Sequence, residues 1–119
     1  MREGLDQLEE RTKQFAIHVI RLCAQIEGEP GMRHTASQLN RAAGSVAANH
    51  RAMRRARSTR EFAEKLQIVN EEIDECGLWL DVVAARCAHL DREFPALRRE
   101  SSELRSIFAK ARATTRARF

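Results

Sequence analysis

Apolar side chains recur every three or four positions through most of the chain. In a first predicted helix, over residues 5–27, these steps alternate, and Ile20 and Cys23 widen the apolar face. Because an α-helix turns once in about 3.6 residues, such side chains share one face. The stripe consists of Leu8, Thr12, Phe15, Val19, Leu22 and Ile26. Residues 28–31, with the sequence GEPG, then end the helix, since glycine accepts a left-handed cap and proline cannot continue the hydrogen-bond ladder.

A second helix is predicted over residues 35–54, and its side chains are unusually small. Thr35 or Ser37 is expected to cap its N-terminus. Its stripe consists of Leu39, Ala42, Val46, Asn49 and Met53. Gly44 costs about 1 kcal/mol of intrinsic helix stability relative to alanine. We therefore expect a neighbouring backbone to pack closely against Gly44.

The third predicted helix, over residues 59–90, has the most regular pattern. It begins with the sequence STRE, in which the Ser58 hydroxyl and the Glu61 carboxylate can each bond a free backbone N–H as a capping box. Its stripe consists of Phe62, Leu66, Val69, Ile73, Cys76, Leu80, Val83, Cys87 and Leu90. Trp79 flanks this stripe and is interpreted as a core or subunit-interface residue.

A fourth helix is predicted over residues 92–112, with Asp91 as its N-cap and Pro95 in its first turn, or with Pro95 opening it. Its stripe consists of Leu97, Ser101, Leu104, Phe108 and Ala111. Residues 113–119 are basic, lose the apolar period and are expected to fray. Four amphipathic helices with short connections predict an all-α fold, an antiparallel up-down-up-down four-helix bundle forming one domain over residues 1–119.

Composition supports this fold and limits the classes of function. The chain has 119 residues, of which 43% are hydrophobic and 32% charged, as in one soluble globular domain. No apolar run is long enough to span a membrane, and the N-terminus lacks the apolar core of a signal peptide. The three cysteines are odd in number and form no CxxC pair, which favours reduced thiols and a cytoplasmic location.

Signals for catalysis or metal binding are weak. The glycines are scattered, so no phosphate-binding loop is present, and no histidine follows a glutamate at the spacing that di-metal bundles use. Cys23, Cys76 and Cys87 lie on or beside the stripes and are interpreted as core residues. We therefore expect no catalytic residue, no metal, no cofactor and no enzymatic activity.

Asn49 and His50 fall where the second helix needs its inward face. We interpret them as a buried polar pair, hydrogen-bonded within the bundle, that helps to set the helix register. A role in ligand binding and exposure to solvent are the alternatives.

The net charge of +4 is the sum of three opposed blocks. The first, over residues 51–60, contains no acid and five arginines: Arg51, Arg54, Arg55, Arg57 and Arg60. The second, over residues 71–75, contains Glu71, Glu72, Asp74 and Glu75. The third, over residues 110–119, contains Lys110, Arg112, Arg116 and Arg118.

The arginines of residues 51–60 have two interpretations. Guanidinium groups match phosphate in charge and geometry, so this block is a candidate contact for RNA or DNA. The chain has no tyrosine and few phenylalanines, so binding would be led by backbone phosphates and be sensitive to salt. Alternatively the arginines pair with the carboxylates of residues 71–75 within or between subunits, in a structural or protein-interaction module. Glu72 is the best candidate for pairing with the second helix or another subunit.

Two motifs resemble the bacterial four helix bundle protein family, which includes proteins encoded in intervening sequences of 23S ribosomal RNA genes. The first is QLxRAAxSVxAN over residues 38–49, and the second is RSxxEF over residues 57–62. The resemblance extends from residues 10–16 to residues 106–109. Many members continue after the asparagine with IAEG, whereas this chain has HRAM at residues 50–53 and so resembles a more arginine-rich branch.

The resemblance implies a left-handed up-down bundle, assembly as a ring-like homopentamer and a function that is mostly unassigned. The family is also similar to the accessory variability determinants of diversity-generating retroelements, in which a basic pentamer binds nucleic acid and partners a reverse transcriptase. That role does not transfer automatically to this arginine-rich branch. We expect a cytoplasmic homo-oligomer that binds RNA or DNA through residues 51–60; the alternative is a module that binds a protein partner.

Overall fold

The computed structural model describes the backbone of residues 2–116 and the side chains of residues 4–116. Its elements are α1 (Arg2–Ile26), α2 (Arg33–Arg54), α3 (Thr59–Arg86), a 3₁₀ turn (Ala88–Leu90) and α4 (Phe94–Arg116). No strand occurs in this part of the chain. The predicted all-α class and the four predicted helices are therefore confirmed.

Helices that are consecutive in sequence pack side by side, and α1 also contacts α4. Near the end of α1, the Cys23 thiol donates a hydrogen bond to the carbonyl of Ala36 near the start of α2, at 3.2 Å. Between α3 and α4, the Asn70 side-chain amide donates to the carbonyl of Phe108 at 3.0 Å. All four helices therefore surround one shared core.

The predicted stripes supply this core. Every stripe residue of α3 from Leu66 to Cys87 is buried, and Phe62 and Leu90 at the ends are half-buried. The stripes of the other helices are also buried, apart from three half-buried members: Leu8, Asn49 and Ala111. Removal of these side chains from water is the main driving force for folding. None of the described helices is long and apolar enough to cross a lipid bilayer.

Two expectations about packing are wrong. Ile20 does not widen the apolar face of α1, because it points away from the core and is 55% exposed. Gly44 is exposed on α2, and a Cβ atom built there would meet nothing within 4 Å. Close packing within the described chain therefore does not explain Gly44.

The start of α2 also differs from the prediction. Met32 is the N-cap residue and its side chain makes no capping hydrogen bond, whereas Thr35 and Ser37 both lie inside the helix. Gly31 has a φ of 82°, which turns the chain where a residue with a side chain would be strained. The buried side chain of Met32 then anchors the first turn, so apolar packing rather than a polar cap sets this boundary.

At the connection between these helices, α3 ends earlier and α4 begins later than predicted. Cys87 has a φ of −153°, so α3 ends at Arg86 and a 3₁₀ turn follows it. Asp91 accepts a hydrogen bond from the backbone N–H of Glu93 at 2.8 Å, and α4 begins with Pro95 in its first turn. At its other end α4 continues to Arg116, so the expected fraying is wrong for residues 113–116. Residues 117–119 lie outside the described residues.

Both side chains of the predicted capping box at the start of α3 bond backbone N–H groups, and the cap allows a test. The Glu61 carboxylate bonds the N–H of Arg57 rather than that of the N-cap residue Ser58. The Ser58 hydroxyl accepts a hydrogen bond from the N–H of Glu61 at 3.0 Å, and the Glu61 carboxylate accepts one from the N–H of Arg57 at 3.4 Å.

Ser58→Ala should lower the free energy of unfolding by about 1 kcal/mol, because it removes the acceptor of an exposed N-cap. Ser37→Ala, which removes a serine that caps nothing, should change it by less than about 0.5 kcal/mol.

Urea unfolding of both variants and the parent protein at one protein concentration measures the two values. An equal loss for the two variants would contradict the assignment of Ser58 as the cap.

Candidate nucleic-acid interface

The first and third basic blocks lie at the same end of the molecule. The 51–60 block occupies the end of α2, the connection to α3 and the first turn of α3. The last turns of α4 lie beside the first turns of α3, where Arg112 and Arg116 line a cleft with Ala63 and Gln67. We call this region, residues 51–67 with residues 110–116, the basic end. Arg118 of the third block lies outside the described residues.

Arg54 differs from the other arginines of the basic end, because it is only 20% exposed and is paired with α1. One guanidinium nitrogen lies 2.6 Å from the Asp6 carboxylate and another lies 3.3 Å from that of Glu9. The hydrogen bond from Arg54 to Asp6 further raises the pKa of this arginine. Arg54 therefore holds the end of α2 against the start of α1, and we assign it to the structure rather than to a phosphate contact.

Arg60 lies on the first turn of α3 and contacts Glu64 one turn later at 3.2 Å. Its side chain is 88% exposed, and exposed pairs of this kind contribute little to stability. Its guanidinium can therefore leave the Glu64 carboxylate and bind an external phosphate at a small cost in free energy.

Arg51, Arg55 and Arg57 are exposed, and none forms an ion pair with a side chain of residues 4–116. Their backbones are engaged: the N–H of Arg55 donates to the carbonyl of Ala52 at the end of α2, and the N–H of Arg57 donates to the Glu61 carboxylate at the start of α3.

Arg51 lines a shallow cleft with Glu9 and Glu10 of α1 without forming an ion pair, whereas no carboxylate shares a described cleft with Arg55 or Arg57. Three exposed arginines within seven residues give the basic end a local excess of positive charge, which favours the binding of anions.

Three carboxylates of the acidic block, residues 71–75, pair with groups other than the arginines of residues 51–60. Arg41 of α2 contacts both Glu72, at 3.0 Å, and Glu75. The Trp79 indole N–H donates to Glu75 at 3.0 Å and also stands edge-on to the ring of His34, with the ring centroids 5.7 Å apart. The hydrogen bonds from Trp79 and Arg41 lower the pKa of Glu75.

Asp74 and Glu71 of the same block form no ion pair with the arginines of residues 51–60 within residues 4–116. Asp74 contacts Arg105 of α4 at 3.0 Å, and Glu71 is exposed. Within the described subunit, the acidic block therefore does not neutralise the arginines of residues 51–60.

The prediction of a buried, hydrogen-bonded polar pair holds for each residue only in part: His50 is buried and Asn49 is hydrogen-bonded, but neither is both. His50 is fully buried, at 0% exposure, and neither of its ring nitrogens has a hydrogen-bond partner among the described residues. Its ring lies 5.7 Å from that of Phe108. Asn49 is only half-buried and donates to the backbone carbonyl and the hydroxyl of Ser45 on its own helix, each at 3.0 Å. Burial and hydrogen bonding are divided between the two residues because their adjacent side chains point to different sides of α2.

Metal and thiol chemistry find little support in the geometry. Within residues 4–116, no group of three or more His, Cys, Asp or Glu side chains is placed to hold a metal ion. All three cysteines are free and buried. Burial raises the pKa of Cys23 to about 11 and that of Cys76 to about 12, and it also raises the pKa of Cys87. These thiols therefore stay protonated at neutral pH and are poor nucleophiles.

The fold and the basic end together define a small all-α protein of four helices with an arginine-rich end. The family model described as "23S rRNA-intervening sequence protein" matches residues 7–110, and the chain belongs to this family. The resemblance in the two sequence motifs is thereby confirmed.

A solved structure agrees in fold. It is that of a protein of unknown function from the S23 ribosomal protein family of Bacteroides thetaiotaomicron VPI-5482, with a TM-score of 0.79 and 23% sequence identity. The match covers 92% of this chain and 97% of that chain. At this identity the likeness concerns the fold alone. No curated protein matches the chain.

Proposed function

We propose that this protein is a non-enzymatic, cytoplasmic homo-oligomer that binds nucleic acid through contacts between its basic end and backbone phosphates. The observation that carries the proposal is the state of Arg51, Arg55 and Arg57, which are exposed and unpaired within residues 4–116. Arginine binds phosphate through two parallel hydrogen bonds at full charge, so a repeating polyanion would neutralise this local excess of positive charge.

The proposed assembly is a homopentamer of antiparallel up-down, left-handed bundles, as the family resemblance implies. Contacts between opposite ends of neighbouring helices support the antiparallel order: the end of α1 meets the start of α2 at Cys23 and Ala36, and the end of α2 meets the start of α1 at Arg54 and Asp6. A closed ring would repeat the basic end five times and strengthen its positive potential.

Titration of the intact protein with labelled RNA and labelled duplex DNA, followed by fluorescence anisotropy, tests the proposal. Binding should weaken as salt is raised from about 50 to 200 mM, because each phosphate contact releases a counterion. The double substitution Arg55→Gln and Arg57→Gln should weaken binding to all sequences alike. It should also reduce the slope of log K against log salt by about 2, one unit for each phosphate contact removed.

The matched control is the double substitution Arg86→Gln and Arg92→Gln. It removes the same charge from two exposed arginines near the α3–α4 connection, at the opposite end of α3. This control should keep nearly the parental slope. Equal losses in the two double variants would show a general charge effect, and an absence of salt-dependent binding would refute the proposal.

The alternative is a structural or protein-interaction module. Arg54 and Arg60 already have carboxylate partners within the subunit, which favours ion pairing as the role of this block. In that case Arg51, Arg55 and Arg57 would pair with acidic side chains, Glu71 among them, of a neighbouring subunit. The Arg55 and Arg57 substitutions would then weaken the oligomer, so that it dissociates at protein concentrations at which the parent protein stays assembled; sedimentation measures this. The substitutions would leave nucleic-acid affinity unchanged.

A further inference from the structure

A regular series of ion pairs joins α3 to α4. Arg98 contacts Asp81, with 2.5 Å between guanidinium nitrogen and carboxylate oxygen, and Arg105 contacts Asp74 at 3.0 Å. From the first pair to the second, the arginine moves seven residues forward along α4 and the aspartate moves seven residues back along α3. Seven residues are close to two helical turns, so helices running in opposite directions repeat the same contact at this interval.

The next position of the series has an arginine and no carboxylate. Seven residues beyond Arg105 lies Arg112, and seven residues before Asp74 lies Gln67. Both side chains line one cleft of about 220 Å³ between the two helices, which places them as the third pair of the series. Gln67 thus occupies the position at which the first two pairs have an aspartate.

The cleft offers Arg112 no other anion. Its lining comprises Ala63, Leu66, Gln67, Arg112, Thr115 and Arg116, with no acidic side chain among them. Arg112 and Arg116 form no ion pair within residues 4–116, and the Thr115 hydroxyl donates to the carbonyl of Ala111. The polar side chains that line this space are thus two arginines, which can only donate, Gln67, whose amide can donate, and Thr115.

We infer that this cleft binds a backbone phosphate of the nucleic acid, with Arg112 and Arg116 as its charged ligands and Gln67 as a neutral donor. The inference rests on the proposed function and extends the site from the α2–α3 connection to the end of α4. The chemical class of the ligand is a phosphodiester, because two arginines and no acidic side chain line the cleft, and guanidinium groups match phosphate in charge and geometry.

The decisive substitution is Gln67→Glu, which supplies the missing carboxylate and leaves every arginine in place. The new carboxylate should pair with Arg112, as Asp74 pairs with Arg105. Binding of the labelled RNA and of the labelled duplex should weaken, and the salt slope should fall by about 1. Arg112→Gln should give a similar loss. In the Arg112→Gln background, Gln67→Glu should add much less than it does alone, because both changes remove the same contact.

Gln25→Glu is the matched control, since it adds the same charge to an exposed position near the end of α1, away from the cleft. It should leave affinity and salt slope near those of the parent protein. Thermal melts of all variants should show a parental or higher midpoint for Gln67→Glu, which separates lost binding from lost folding.

Two outcomes overturn the inference, and only the second of them also overturns the proposed function. If the parent protein binds and Arg55→Gln with Arg57→Gln weakens binding, but Gln67→Glu and Arg112→Gln do not, the cleft is not part of the site and the proposed function stands. If the parent protein shows no salt-dependent binding to RNA or DNA, the cleft and the proposed function both fail.

Discussion

Replacing Leu80 by alanine should lower the free energy of unfolding by about 2–5 kcal/mol, whereas the same change at Leu78 should alter it by less than about 0.5 kcal/mol. Both leucines lie inside α3, two residues apart, so the helix propensity of the new alanine contributes equally. Leu80 is 0% exposed and Leu78 is 55% exposed. The difference therefore measures the loss of buried contacts and the cavity that remains at Leu80.

Urea unfolding monitored by circular dichroism, with variant and parent at matched protein concentrations, measures both values. The comparison is repeated over a concentration series because association of subunits contributes to the apparent stability. A loss of several kcal/mol for Leu78→Ala that shrinks with dilution would show that another subunit covers this residue. A small loss for Leu80→Ala would contradict the burial of the α3 stripe.

His50→Leu should raise the free energy of unfolding at neutral pH by about 1–3 kcal/mol. The imidazole is fully buried and both of its nitrogens lack partners, so folding removes hydrogen bonds to water and returns none. Leucine removes these polar atoms while it keeps apolar contact with Phe108. His89→Leu, at an exposed position of the 3₁₀ turn, is the control for loss of an imidazole.

The same histidine should make the parent protein less stable in mild acid. Desolvation lowers the pKa of His50 below its ordinary value of 6.5; Glu9 of α1 opposes this shift and Arg54 of α2 adds to it. Between the folded-state pKa and about 6.5, the unfolded chain binds a proton that the folded chain excludes. Stability should therefore fall as pH drops below about 6.5, by up to about 1.4 kcal/mol per pH unit.

His50→Leu should lack this component of the pH dependence. Hydrogen bonds from Trp79 and Arg41 lower the pKa of Glu75, so its contribution to stability is lost only as the pH falls below the ordinary pKa of 4.5. The effect of Glu75 therefore lies in a separate pH range. Unfolding curves at several pH values between about 5 and 7 measure the effect. Parallel curves for His50→Leu and the parent protein across that range would contradict the burial of a neutral imidazole.

The helices and the core were predictable because they depend on the period of apolar residues. In α3 that period is uninterrupted, and its members from Leu66 to Cys87 are buried as expected. The helix boundaries were less predictable. Met32 begins α2 through apolar anchoring and Cys87 ends α3 through its backbone angles, and neither residue belongs to a recognised capping pattern.

The partners of charged residues could be predicted only in part, because they depend on register between helices. The arginines of residues 51–60 look alike in the sequence, yet Arg54 alone turns toward Asp6 and Glu9 of α1. The signal for the α3–α4 pairs was present as the seven-residue spacing of Arg98, Arg105 and Arg112. This spacing identifies the partners on α3 only when the register of the two helices is known, and the contact of Arg98 with Asp81 supplies that register.

The three buried thiols have a practical consequence for the kinetics of this molecule. Cys23, Cys76 and Cys87 report on α1, α3 and the turn that follows α3, and the described part of α4 has no cysteine. Because the folded state hides each sulfur, a thiol-labelling reagent can react only during openings that expose it. The rate of labelling at each cysteine, measured by mass spectrometry, therefore reports the local opening of its own element, and no engineered probe is needed.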